Sequence, residues 1–559
     1  MDICIDSNIL IYAFNVQSQF NAKAEAVLED LIRADGFAIT DISLIEFYQI
    51  ITNDKVVSDP ISPDKSYEII KNILLNKKIE VLETNIDILE VTFESAANHN
   101  VRKYEIYDHL IANLCKHNNI KKFITANDKD FKKYDFFDVI NPFPGEENKG
   151  AEKKKYSKVI PLSVPSIQGN EWKYIKECLD TEWVSSAGKY VELFEDKICE
   201  FTGVQHAVAC VNGTSALQLA LQIAGVRPGD EVIVPTLTFI APVNAVRYLN
   251  AEPVFMDADD YYNIDVDKVI KFLKEETELV NSKLMQDDRI NKAPITINKK
   301  TGSRIAAVIP VHVFGNAVNL EKLMPICKDR NIKIIEDATE SLGTFYTQGE
   351  LKGKHTGTIG DIGCYSFNGN KIITTGGGGM IVTDNEEYAQ KARYLTTQAK
   401  DDDVRYIHNE IGYNFRLTNI QAAMGVAQLE QLPEYLKIKN KNYQTYKKEI
   451  DKIPGLHLSA SPGYADNNCW MYALQIDKSI YGKDREQLMD CLTENKIQTR
   501  PVWHLNHLQK PHRSCQNYQI EKASVLMEKT INIPCSVNLL ESQIDTIVGY
   551  LGKSSKLKA

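Results

Sequence analysis

Apolar and polar positions alternate with the same rhythm in two stretches of the chain. In the first, apolar runs over 2–6, 37–40 and 122–125 predict short strands, and apolar residues at helical spacing predict helices over 22–34, 44–51 and 108–117. In the second, strands are predicted over 207–210, 231–234, 253–256, 305–311, 333–336 and 362–366, most of them separated by helical stretches. Strands alternating with helices predict an α/β fold around a parallel sheet in each stretch. No short internal repeat is visible. Between them, residues 141–155, beginning Asn141-Pro142-Phe143-Pro144-Gly145, are polar and lack apolar periodicity. They read as a linker. The expected layout is a domain over 1–143, a linker over 144–158 and a unit over 159–559, with a large part to about 430 and a smaller lobe over 431–559.

Composition narrows the partners. A formal net charge of -10 over 559 residues argues against a nucleic acid held by bulk electrostatics, although a local patch can still bind one. With 43% hydrophobic residues, the chain can fill large cores. No run of 18 apolar residues reads as a membrane span, so no membrane partner is expected. The opening Met1-Asp2-Ile3-Cys4-Ile5-Asp6 has an early acid and no basic flank, unlike a signal peptide. The 11 cysteines are odd in number and show no Cys-x-x-Cys pair, which predicts free thiols in the cytoplasm and no structural zinc.

Three motifs of the second stretch point to one chemistry. Asn212-Gly213-Thr214-Ser215-Ala216-Leu217 follows a predicted strand and opens a helix. Backbone N–H groups there, with the hydroxyls of Thr214 and Ser215, suit a phosphate, and Gly213 allows close approach. It is not a Walker loop, lacking Gly-x-x-x-x-Gly-Lys. Asp337, in Ile334-Ile335-Glu336-Asp337-Ala338, stands at a predicted strand end and can pair with a cationic ring nitrogen. Lys371 stands between Asn368-Gly369-Asn370 and the run Gly376-Gly377-Gly378-Gly379. Alone, the first two are equally ordinary helix caps. Together the three describe a pyridoxal phosphate site, with Lys371 forming the Schiff base and Asp337 keeping the ring nitrogen protonated.

From about Ile160 to the C-terminus the sequence resembles the DegT-type sugar aminotransferases of the fold type I pyridoxal phosphate superfamily. The resemblance rests on Trp183-Val184-Ser185-Ser186, Asn212 to Leu217, Pro235-Thr236-Leu237-Thr238-Phe239, Pro310-Val311-His312-Val313-Phe314-Gly315, Glu336-Asp337-Ala338, and Ser366 through Gly379. The Asn-Gly-Asn-Lys form looks most like the branch making 4-amino sugars for bacillosamine-type or legionaminic-acid-type glycans. Many relatives carry a glutamate in the glycine run, and this chain does not. The resemblance implies that Phe239 stacks on the cofactor ring and that Ser366, Thr214 and Ser215 hold its phosphate. It also implies that Glu340 touches cofactor or substrate. Asn414, in Gly412-Tyr413-Asn414-Phe415-Arg416-Leu417, would reach the cofactor of the neighbouring subunit, making a homodimer with shared sites. Trp183, Ser185, His312, Arg500 and His504 would shape the nucleotide-sugar site. A dehydratase branch has a histidine in place of the lysine. With Lys371 present, the implied activity is amino transfer from glutamate to C4 of a 4-keto-6-deoxy nucleotide sugar, taken to be UDP-linked.

In the first stretch, Asp6, Glu46, Asp108, Asp128 and Asp130 occupy predicted strand ends and helices. Clustered carboxylates suit a hard divalent ion, Mg2+ or Mn2+, able to activate water. This stretch resembles the PIN domain, the nuclease fold of many VapC-type toxins, which implies an α/β/α sandwich cutting RNA with metal-bound water. Asn127 stands where many relatives have an aspartate, leaving Asp128 and Asp130 as candidates for the fourth acid. Three readings stay open at this point: a sugar aminotransferase with an attached PIN domain, a ribonuclease whose PIN activity is primary, and a cofactor-binding regulator without turnover.

Overall fold

The computed structural model describes residues 1–554 apart from 54–56, 58–59, 99–100, 102–104, 144–158, 281–293 and 403. The expected linker, 144–158, lies outside the described residues. The chain divides into two units, Met1–Tyr156 and Ser157–Ala559.

The first unit is built on a five-stranded sheet, parallel throughout. Its order is Ile79–Leu82, Phe37–Thr40, Ile3–Ile5, Lys122–Ile124, Asp138–Ile140. The strand period of two sorts the core. Ile5, Ile39 and Ile124 pack against Ile9, Phe47 and Ile51 on one face, and Cys4, Ala38 and Phe123 pack against Leu114 and Phe131 on the other. The predicted elements are present within a few residues, but sequence reading missed the outer strands Ile79–Leu82 and Asp138–Ile140. Both edge strands are short and only partly buried, so their apolar signal is weak.

The second unit carries an eight-stranded sheet in the order Asn517–Tyr518, Glu252–Met256, Glu231–Pro235, Ile305–Val308, Lys333–Asp337, Ile362–Ser366, Gly379–Thr383, His206–Cys210. Only Gly379–Thr383 runs antiparallel to its neighbours. The parallel strands therefore deliver their carboxyl ends to one edge, where Cys210, Pro235, Asp337 and Ser366 lead into loops. The predicted strand over 305–311 ends at Val308, and Val311 returns as an isolated bridge to Asp337. The smaller lobe is a four-stranded antiparallel sheet, Leu456–Leu458, Tyr472–Ile476, Thr530–Ile533, Arg500–Pro501. The helix Asn419–Ile450 serves both parts: it packs on Glu171–Asp180 and Lys189–Thr202, and also on Leu456–Leu458 and Glu541–Lys553. The expected boundary near 430 falls inside this helix.

One buried carboxylate ties the strand His206–Cys210 to its surroundings. Glu195 accepts from the Ala209 N–H at 2.7 Å, from Arg416 at 2.5 Å and from Arg393 at 2.7 Å. Breaking such a buried pair strands its partners, so Glu195→Ala is expected to cost about 3 kcal/mol, measured by denaturant unfolding of the full chain.

Candidate active site

A cavity of about 620 Å³ opens at the carboxyl edge of the large sheet, walled by the smaller lobe. Helix Gly213–Ile223 begins there. Asn212 caps it, its side chain accepting from the Ser215 N–H at 2.8 Å, and Gly213 and Thr214 line the cavity. Two glycines are required by close approach. A Cβ on Gly213 would meet the Ser366 Cβ at 2.9 Å, and one on Gly379 would lie 2.5 Å from the Asn212 carbonyl carbon. The glycine run thus lets Gly379–Thr383 pass against the helix start, with Gly213 and Ser366 packed together on the cavity wall.

Asp337 ends its strand fully buried, with one carboxylate oxygen accepting from the Thr339 N–H at 3.1 Å. Burial pushes its carboxyl up, opposed by Thr339 and by the charge of Lys371. Lys371 follows in the loop after Ile362–Ser366, its Nζ 4.0 Å from the Glu340 carboxylate. Glu340 is also buried and accepts from the Phe314 N–H at 2.8 Å. Burial pushes its carboxyl up to about 7, with Lys371 acting in the opposite direction. Phe314 holds a left-handed backbone at φ 56°, a strained conformation for this residue. Its ring stacks on Trp503 at 5.1 Å.

Of the sequence-predicted residues, Gly213, Thr214, Phe239, Asp337, Glu340, Ser366, Lys371, Arg500 and His504 line this one cavity. Ser215 is buried beside them. His312 is a correction. It is fully buried, donates from Nε2 to Glu336 at 2.9 Å and accepts at Nδ1 from the Val318 N–H at 3.1 Å. Both nitrogens are committed to the core beneath the site, and the side chain does not line the cavity. Trp183 and Ser185 lie outside it, in an exposed loop whose carbonyls are held by Asn419. Asn414 is exposed and likewise outside the cavity of its own chain. Trp503, in the stretch Thr499 to His504 expected to shape the sugar site, lines the cavity too, whereas sequence reading missed Thr339, Trp470 and Asn532. Trp470 sits in an irregular Asn467-Asn468-Cys469 turn that carries no periodic signal.

The residues fit pyridoxal phosphate. The wall at Gly213 is one a Cβ would crowd, a buried acid faces the cavity at a strand end, and a lysine lines the same cavity.

In the first unit, Asp6 is buried and its carboxylate accepts from Asn8 and Thr125, each at 2.6 Å. Burial pushes it up to about 6, helped by Glu46 and Asp108. Asp108 also rises to about 6, through burial, then Asp130 and Glu46. Neighbouring carboxylates thus act on Asp6 and on Asp108. Asp128 departs from expectation: it pairs with Lys132, which holds its carboxyl low. Among the described residues no three acidic, histidine or cysteine side chains stand close enough to share an ion. The donors are of the right type for a hard divalent ion, with Asp128 held aside by Lys132.

Residues 165–552 match the DegT/DnrJ/EryC1/StrS aminotransferase family, more than half of the chain. The chain belongs to that family. Residues 3–137 match the PIN domain. Among relatives of the aminotransferase part, a GDP-perosamine synthase of Caulobacter vibrioides is 35% identical over 397 residues, 70% of this chain and 97% of that protein. A DegT/DnrJ/EryC1/StrS aminotransferase structure from Brucella abortus superposes with a TM-score of 0.60 at 24% identity, covering 73% of this chain and 98% of the other. A structure of Escherichia coli GDP-4-keto-6-deoxy-D-mannose-3-dehydratase with bound hydrated PLP gives 0.59 at 23%, covering 70% and 97%. At these identities the structures establish the fold, fold type I, as expected. No helix among the described residues is long and apolar enough to cross a membrane.

Two outcomes follow from this DegT-family cavity. Gly213→Ala is expected to push Ser366 aside, costing about 1–3 kcal/mol in denaturant unfolding, and to weaken pyridoxal phosphate binding roughly tenfold, read by titrating visible absorbance. Glu340 binds its proton more tightly folded than at its ordinary value of 4.5, so stability falls as pH rises from 4.5 to 7. Denaturant unfolding of Glu340→Gln should lack that loss, gaining about 3 kcal/mol on the wild type across the window.

Proposed function

We propose that the second unit is a pyridoxal phosphate-dependent aminotransferase acting from glutamate on C4 of a 4-keto-6-deoxy nucleotide sugar, for surface polysaccharide synthesis. The observation that carries this is the meeting of Lys371, Asp337 and Gly213 on one cavity. When bound, pyridoxal phosphate supplies an electron sink for a carbanion next to nitrogen. Gly213, Thr214, Ser215 and Ser366 hold its phosphate at the helix start. Phe239 covers its ring, and Asp337 keeps a proton on the ring nitrogen. Lys371 would hold the cofactor through its side-chain amine and, when freed, would take and return the proton of the donor carbon. Buried Glu340, held by the Phe314 N–H, keeps the lysine nitrogen in place. Arg500 and His504 receive the nucleotide sugar from the smaller lobe. Asn414, Trp183 and Ser185 lie outside their own cavity and serve the neighbouring subunit of a homodimer. The free cysteines support a cytoplasmic setting. The uridine carrier expected alongside the resemblance rests on no motif, whereas the relative's name, GDP-perosamine synthase, favours a guanosine one.

For the PIN domain a second reading, Mg2+- or Mn2+-dependent cleavage of RNA, is supported by the push that Glu46 and Asp108 give Asp6 and that Asp130 and Glu46 give Asp108. A ribonuclease assay with and without added metal, on wild type and Asp108→Asn, tests it; equal cleavage by both proteins removes it.

The first measurement is the visible spectrum of the full-length protein with bound cofactor. A band at roughly 410–430 nm should give way to one near about 330 nm on adding glutamate. GDP- and UDP-linked 4-keto sugars should then restore the first band and leave a 4-amino product detectable by mass. Lys371→Ala should abolish turnover while keeping the fold. Turnover retained in that variant removes the reading.

A further inference from the structure

Lys371 has a second neighbour that neither its motif nor its carboxylates explain. Its Nζ lies over the ring of Trp470, 4.5 Å from the centroid. Trp470 comes from the smaller lobe, just before the strand Tyr472–Ile476, and is only 4% exposed. It is fixed from both sides. Its indole N–H donates to the Asn370 carbonyl at 2.7 Å, in the loop that carries the lysine. Its backbone N–H donates to the Asn468 side chain at 2.9 Å, and Asn468 donates in turn to the Glu340 carbonyl at 2.9 Å. The tryptophan is thus tied to the segments bearing Lys371 and Glu340, with its face turned to the lysine nitrogen.

A ring face attracts an ammonium and is indifferent to a neutral amine. During amino transfer the lysine alternates between those forms. Released by the donor as an amine, it takes the proton from the donor carbon and becomes an ammonium, then gives that proton to the cofactor carbon and is neutral again. We propose that Trp470 is a positioning residue for Lys371, its indole face being the resting place of the ammonium between the two proton transfers. This rests on the amino-transfer reading. The other charged groups around the lysine are Asp337 and Glu340 from the large part, with Arg500 and His504 across the cavity.

The test uses the full chain, stripped of cofactor, as wild type, Trp470→Phe and Trp470→Leu. The first readout is the rate at which added pyridoxal phosphate develops the visible band across pH, since capture needs an unprotonated lysine. Trp470→Leu should move this profile to lower pH, so that on its rising limb the rate, relative to its own maximum, is about threefold above wild type. Trp470→Phe, with a weaker ring, should move it part of the way. The second readout is single turnover of the reloaded protein with glutamate deuterated at the α-carbon. Trp470→Leu should be slower by roughly tenfold, with a larger isotope effect, and Trp470→Phe should recover most of the rate.

An unshifted profile in Trp470→Leu overturns the proposal. So does a Trp470→Phe as impaired as Trp470→Leu, which would mark a packing role. Should Trp470→Leu fail to fold, the partial shift in Trp470→Phe decides alone. Should the wild type capture cofactor but react with no amino donor, the amino-transfer reading fails, and the capture profile still shows whether Trp470 holds the ammonium.

Discussion

The carboxylate of Glu336 is buried without any contact with water, and the cavity depends on where it points. It accepts from His312 and from the N–H groups of Gly357, Ile359 and Gly360, at 2.9, 2.7, 2.6 and 2.6 Å. Those donors outweigh the cost of burial and hold its carboxyl low. Strand geometry then does the rest. Because successive side chains leave a strand on opposite faces, anchoring Glu336 to the loop at 357–360 sends Asp337 the other way, toward the cavity. The same carboxylate fixes His312 with its proton on Nε2, freeing Nδ1 to take the Val318 N–H and brace the turn that carries Phe314. Adjacent acids in one motif therefore have opposite tasks, one holding the floor and one facing the chemistry.

This division explains what the sequence revealed and what it concealed. Lys371, Asp337 and the Asn212–Leu217 segment were legible because each lies beside a strand whose apolar run marks its end. His312 was misread because a histidine in a family motif looks like a ligand; only the two partners of its ring show that it belongs to the core. Trp470 and Phe314 were invisible as site residues because they arrive from irregular turns, and their convergence depends on how the smaller lobe docks. In the first unit the strands and helices followed from periodicity, but not the fate of Asp128. An aspartate four residues before a lysine on a short helix is captured by that lysine, and spacing alone ranked it equal to Asp130.

The two units contrast in how they treat buried acids. In the aminotransferase unit Glu195 and Glu336 are saturated with donors, whereas burial pushes up Asp337 and Glu340, which face the cavity, as it does Asp259 and Glu231 away from it. In the PIN domain Asp6 and Asp108 are both pushed up with other carboxylates as neighbours. Such acids become candidates for chemistry where they also face a cavity, as Asp337 and Glu340 do.

The helix Asn419–Ile450 joins the two parts of the second unit as a single splint of 32 residues. A continuous helix is stiff, so the smaller lobe cannot swing away as a free lid while its first half stays packed on Glu171–Asp180 and Lys189–Thr202. Pro433 is the weak point along its length, where an N–H is missing from the ladder, and whatever flexing the lobe retains is concentrated there. The width of the cavity is thereby set when the chain folds rather than when a sugar arrives. Such a vessel loses little motional freedom on filling, and it selects its contents by shape before any closing movement is needed.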